Sequence, residues 1–219
     1  MKPVLLFDLD GTLLDSLADI TRCGNEALAL LGLPLHTQKE YQGYIGNGAR
    51  LLVQRMLAPK DRPAYEEQVY ANYMRIYEGL CAQGCNPFPG VLDMLRTLQK
   101  AGFLTAVISN KPDSQTRLVW ESTFGNTLDL AQGQLEGVPT KPDPAGPREV
   151  LRRLDGVCAA YIGDSEVDMQ TGKNCGFYTI GVTWGMKPRE MLLENGADAL
   201  ADSVEELAAL LRLRLLKEE

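Results

Sequence analysis

Two aspartates two residues apart, Asp8 and Asp10, close the apolar run Val4 to Phe7 in the stretch LLFDLDGTLLDS, with Gly11, Thr12 and Asp15 following. Two other segments repeat the arrangement of an apolar run ending in polar groups, and a third places a lysine just before a helix. Ser109, Asn110 and Lys111 follow Thr105 to Ile108; Asp164, Ser165 and Asp168 follow Ala159 to Gly163; Lys141 stands in TKPDP. Singly, each segment is compatible with a capped helix start or an Asx turn. Jointly they offer several carboxylates, small hydrogen-bonding residues and an isolated ammonium. Carboxylates that close together repel unless a positive charge lies between them. A hard divalent cation with oxygen ligands answers that need, and Mg2+ suits a site of few protein carboxylates plus substrate phosphate. The lysine, hydroxyl and amide suit an anion with several oxygens, of which phosphate is the obvious one.

These groups can meet only if the elements carrying them share an edge. Val4 to Phe7, TAVIS, AAYIG and YTIGV read as buried strands, with a weaker one near Leu128 to Ala131. From NPFPG onward strands alternate with helices, which implies a parallel, doubly wound sheet covered on both faces. Ligands in such sheets bind beyond the carboxyl ends of the strands, where all four polar segments fall. Between Ser16 and Gly84 no strand signal occurs. Apolar residues there recur at helical spacing, as in Leu17, Ile20, Gly24, Ala27, Leu28 and Leu31. The expected architecture is an α/β, Rossmann-like core of residues 1–15 and 87–219, with a small all-helical cap of residues 16–86 inserted after the first strand. The two crossings are hinge candidates. The lone histidine, His36, reads as a solvated loop residue, and the tyrosines of the insert as packing.

The chain has 219 residues, 45% of them hydrophobic, and a net charge of −7 from 29 acidic and 22 basic residues. No basic cluster stands out, which argues against a nucleic-acid partner. No apolar run approaches the ~20 residues of a membrane span, and no signal peptide is recognisable. Five cysteines with no zinc spacing read as reduced thiols of a cytoplasmic protein.

FDLDGTLLDS, VISNKP, TKPDP and YIGDSEVD together resemble the haloacid-dehalogenase-like (HAD) phosphatase superfamily. Within it, YIGNGARLLVQRML and IGVTWGM are most similar to phosphoglycolate phosphatases and their near relatives. The resemblance implies a phosphatase with Asp8 as nucleophile, forming an aspartyl-phosphate. It implies Asp10 as general acid and then general base, and Asp8, Asp10 and Asp164 as groups holding Mg2+. Asp168 would be a further ligand or would support one, and Ser109, Asn110 and Lys141 would hold the phosphoryl group. Asn47, Gly48 and Arg50 of the insert are substrate candidates, Arg50 as partner of a carboxylate on the leaving group. The implied substrate is a small phosphorylated metabolite, 2-phosphoglycolate first, and the implied assembly a monomer or homodimer. An inorganic pyrophosphatase, a phosphosugar mutase and a non-catalytic binding protein on the same scaffold remain as alternatives.

Overall fold

The computed structural model describes residues 2–215. Six parallel strands form one sheet: β1 (Lys2–Phe7), β2 (Leu104–Pro112), β3 (Leu130–Gln134), β4 (Gly156–Gly163), β5 (Thr179–Val182) and β6 (Ala199–Ala201). Their spatial order is β3-β2-β1-β4-β5-β6. The three-residue β6 carries no pattern of its own and is missed by sequence reading; its backbone pairing with β5 defines it. β1 is central, with residues Val4 to Phe7 fully buried, which is why it reads as an unbroken apolar run rather than an alternating one.

The order reverses at β1, so that β2 lies on one side and β4 on the other. The crevice of a doubly wound sheet opens at such a point. The register places Phe7 beside Val107 and Ile162. The residues just after these three therefore emerge together. Helices α5 (Val91–Lys100), α6 (Asp113–Val119), α7 (Ala145–Leu154), α8 (Glu166–Cys175), α9 (Arg189–Glu194) and α10 (Val204–Leu215) cover the sheet.

Four helices lie between β1 and α5: α1 (Leu17–Ala29), α2 (Gln38–Tyr44), α3 (Ala49–Met56) and α4 (Arg62–Gln83). Their buried faces meet through Leu28, Tyr41, Val53, Val69 and Tyr77. Each such side chain contributes ~1.5–3 kcal/mol on burial. His36 is not solvated: its Nε2 donates to the Met56 carbonyl at 2.7 Å, and its ring meets Tyr41 and Tyr44 edge-on. A lone polar ring flanked by tyrosines can serve packing, a role that spacing alone does not reveal.

The two chain crossings run side by side. Asp15 N–H donates to the Asn86 carbonyl at 2.9 Å and Phe88 N–H to the Leu13 carbonyl at 3.0 Å. No described helix is long and apolar enough to cross a membrane.

Candidate active site

Asp8 leaves β1 with its backbone N–H bonded to the Ile162 carbonyl at 2.8 Å. The chain then turns at Gly11, whose φ of +88° favours glycine. A Cβ there would also stand 2.3 Å from Asp164 Oδ2, so the turn and the approach of β4 both require its absence. Trp184 Nε1 ties the turn down from the far side by donating to the Thr12 carbonyl at 3.1 Å.

β4 delivers Asp164, and α8 follows it with a capping box in which Ser165 and Asp168 satisfy each other's backbone. Asp8, Asp164 and Asp168 each place an oxygen within 4.8 Å of the others. All three are nearly inaccessible, as is Lys141. Lys141 Nζ donates to Asp8 Oδ1 at 2.6 Å and to Asp168 Oδ1 at 2.7 Å. One ammonium thus faces three carboxylates.

The electrostatics follow from that imbalance. Burial raises the Asp8 carboxyl to about 7, Asp168 adds to the rise and Lys141 opposes it. Burial, then Asp168 and Asp8, push Asp164 well above the ordinary carboxylate range. For Lys141 burial works to lower the pKa, but Asp168 and Asp8 outweigh it and the net direction is well upward. The donor set is hard and oxygen-only, and it has a surplus of negative charge for which one further cation is the remedy. A divalent ion therefore fits it.

Asp168 has both oxygens engaged, one by Lys141 and the other by Ser165 Oγ and N–H. It positions the lysine and starts α8. Asp164 accepts from Met186 N–H at 2.7 Å and from Thr12 Oγ1 at 3.3 Å. Ser109 Oγ accepts from Lys111 N–H at 3.2 Å and lines the cleft.

The side chain of Asn110 is committed elsewhere than expected. Its Oδ1 accepts from Lys141 N–H at 2.9 Å, and its Nδ2 donates to the carbonyls of Lys141 and Gly46. It fastens the lysine's backbone to β2 and to the helical insert, instead of offering its amide to an anion. Asp10 and Lys111 form a second pair: Lys111 Nζ reaches Asp10 Oδ1 at 2.7 Å and Oδ2 at 2.8 Å. Sequence alone gives Lys111 no role; its position two residues beyond Ser109 on β2 is the available signal.

A cleft lies over these groups, roofed by Ile45, Gly46, Gly48, Ala49, Leu52, Tyr73 and Tyr77. Of the three residues expected from the insert, only Gly48 reaches it. Asn47 Oδ1 is taken by Arg55 Nη2 at 2.8 Å. Arg50 is half-exposed, bonded to Glu67 at 2.6 Å and stacked over Tyr70. The helical phase turns Arg50 outward, because Ala49, Leu52, Val53 and Met56 hold the buried face of α3.

Residues 5–182 match the family model described as haloacid dehalogenase-like hydrolase. The chain is 34% identical over 213 residues to a phosphoglycolate phosphatase of Cereibacter sphaeroides, covering 94% of this chain and 97% of that one. It is 30% identical over 215 residues to a phosphoglycolate phosphatase of Vibrio cholerae, covering 93% and 95%. A crystal structure from Lactobacillus delbrueckii subsp. bulgaricus superposes with a TM-score of 0.80 at 29% identity, over 96% of this chain and 99% of the other.

Proposed function

The chain belongs to the haloacid dehalogenase-like hydrolase family and is a phosphatase of it, and on that premise we propose that it hydrolyses 2-phosphoglycolate through a covalent phosphoryl–Asp8 intermediate with Mg2+ bound. The observation that carries the reading is the meeting of Asp8, Asp164 and Asp168 within 4.8 Å of one another, with Lys141 bonded to Asp8.

Asp8 Oδ attacks phosphorus and the bond to the bridging oxygen breaks. Asp10 gives that oxygen its proton, since an alkoxide is a poor leaving group; such help is worth ~10²–10⁴-fold. Asp10 then takes a proton from water as the water attacks phosphorus and releases Asp8. Splitting one displacement into two is the gain of covalent catalysis. Lys141 and Ser109 hold the phosphoryl oxygens, and Asp168 keeps Lys141 aimed. Asp8 and Asp164, with the Asp10 carbonyl, would hold Mg2+, which when bound offsets the repulsion between a carboxylate and a phosphate dianion. The insert acts as a cap that closes over the site and keeps water out, with Leu13–Asp15 and Asn86–Phe88 as its paired hinge.

A kcat/KM series with Mg2+ over phosphoglycolate, pyrophosphate and sugar phosphates tests this. Phosphoglycolate ranks first if the reading holds; pyrophosphate ranking first, or turnover surviving in Asp8→Asn, overturns it.

A further inference from the structure

Lys111 is the second buried lysine of the cleft, after Lys141, and has no part in the two displacements. Its side chain is 3% exposed, a costly place for an ammonium. All three of its N–H donors are occupied: two by the oxygens of Asp10, the third by Tyr77 Oη at 2.9 Å. The Tyr77 ring centroid lies 4.5 Å from Nζ. Burial keeps the Tyr77 hydroxyl neutral, with its pKa well above the usual phenol value.

Of the three lysines that line the cleft, Lys187 is only half-buried and its Nζ donates to the Gln42 carbonyl at 3.5 Å, while the two buried ones are held by different carboxylates. Lys141 serves Asp8 and Asp168; Lys111 serves Asp10. Asp10 is also the group assigned to the bridging oxygen. A phosphoester with its phosphoryl on Asp8 and Lys141 therefore carries its leaving group past Asp10, toward Lys111. Tyr73, Tyr77, Ile20 and Leu52 line the cleft as well, apolar surface suited to a short carbon chain. Arg50, bonded to Glu67 outside the cleft, does not reach it.

We propose that Lys111 is the specificity residue of this site: its ammonium binds a carboxylate on the leaving group, which replaces the Tyr77 hydroxyl while Asp10 stays bonded. This rests on the phosphatase reading and names the feature of the substrate that the cleft selects. A carboxylate fits better than a second phosphate. While Asp10 holds the proton that it gives to the bridging oxygen, the ammonium has one positive charge to offset, which a monoanion matches and a phosphate dianion exceeds.

The test compares 2-phosphoglycolate with 2-hydroxyethyl phosphate, an ester of similar size without the carboxylate, and with pyrophosphate, all with Mg2+. In Lys111→Gln, which leaves a donor for Asp10, the ratio of kcat/KM for phosphoglycolate over hydroxyethyl phosphate falls ~30-fold, within the range for a hydrogen bond to a charged group. Lys111→Arg, which keeps the charge, restores most of the ratio. Equal losses on both esters would mean that Lys111 acts through Asp10 alone, and would overturn the inference. So would pyrophosphate as the preferred wild-type substrate. Should Lys111→Gln fail to fold, Tyr77→Phe decides: removing the competing hydroxyl raises the ratio, and a fall contradicts the exchange. Calorimetric binding of 3-phosphonopropionate against propylphosphonate separates the two levels of the argument, because it needs no turnover. Absent turnover in wild type defeats the phosphatase reading. Absent preference for the carboxylate-bearing phosphonate, or a preference untouched by Lys111→Gln, defeats the role of Lys111.

Discussion

At the scale of single residues, the three-carboxylate cluster sets a pH and metal dependence whose sign can be worked out. Asp8 is raised to about 7 in the fold, and Asp164 is raised with it. In the unfolded chain both ionise near pH 4. Between about pH 4 and 7 the unfolded state therefore loses protons that the folded state keeps, and stability drains away as pH rises through that window. Lys141 does not reverse this, because its own raised pKa places its effect above pH 10. A cation bound to the carboxylates removes the penalty. The melting temperature without Mg2+ should thus fall from pH 5 to pH 7, and 5 mM Mg2+, an amount on the order of ordinary assay use, should raise it more at pH 7 than at pH 5. Scanning calorimetry at both pH values checks this; an equal or larger shift at pH 5 contradicts the electrostatic account. Arg50 makes the opposite kind of prediction. Its ion pair with Glu67 is exposed, and such pairs are worth ~0–1 kcal/mol. Arg50→Ala should leave kcat/KM for phosphoglycolate within about 2-fold and stability within about 1 kcal/mol, by steady-state kinetics and urea unfolding. A loss above tenfold would return Arg50 to the substrate.

At the scale of elements, α8 shows how one local rule serves structure and site together. Its capping box uses Asp168, whose other oxygen holds Lys141. Ser165→Ala removes the Oγ that restrains Asp168 and costs about 1 kcal/mol as a lost cap. It should also lower kcat by more than that cost explains, since Lys141 loses its fixed aim. Denaturant midpoint and kcat measured on one preparation separate the two effects; a stability loss with unchanged kcat means the cap is structural only. Elements of this kind are legible because cap, strand and turn signals are local. The runs ending in Asp8, Ser109 and Asp164 could be placed at one edge for that reason, and the parallel sheet follows from their alternation with helices. What depends on rotation about a helix axis, or on which of several donors a backbone claims, is not local. Arg50 and Asn47 lie beside Gly48 in sequence yet face Glu67 and Arg55. Asn110 spends its amide on the carbonyls of Gly46 and Lys141, partners 64 and 31 residues away. Lys111 could not be assigned for the same reason, since its partners Asp10 and Tyr77 are 101 and 34 residues distant.

At the scale of the whole molecule, the helical insert lies over one edge of the sheet, with the cleft lined from both sides. Tyr41, Val53 and Val69 of the insert belong to one continuous apolar cluster with Leu5, Phe7 and Val107 of the sheet, and around the cleft the insert also meets the core through polar contacts. Gln42 Nε2 reaches the Met186 carbonyl at 2.6 Å, Asn110 Nδ2 the Gly46 carbonyl at 3.1 Å, and Ser114 Oγ donates to Glu78 at 2.9 Å. Hydrogen bonds of this kind are worth ~0.5–1.5 kcal/mol each, so breaking those at the cleft costs far less than breaking up the shared apolar cluster. Gly48 marks how closely insert and core meet: with φ at +88°, an added Cβ would stand 3.1 Å from Gln134 Oε1 and 3.2 Å from the Asn110 carbonyl. Gly48→Val should therefore hold the insert off the core and raise KM about tenfold or more, through strain of ~1–3 kcal/mol. The same contrast, between polar contacts at the cleft and the buried apolar cluster, orders the motions. With 3-phosphonopropionate and Mg2+ bound, amide exchange should slow at 46–49 and 186–187, at the cleft, and stay constant at Val53 and Val69, which are buried in the shared apolar cluster. Hydrogen exchange read by mass spectrometry distinguishes this from a rigid closed shell, in which residues 46–49 would already be protected without ligand. That outcome would leave the substrate no way in by cap opening, and would shift the route of entry to the cleft mouth itself.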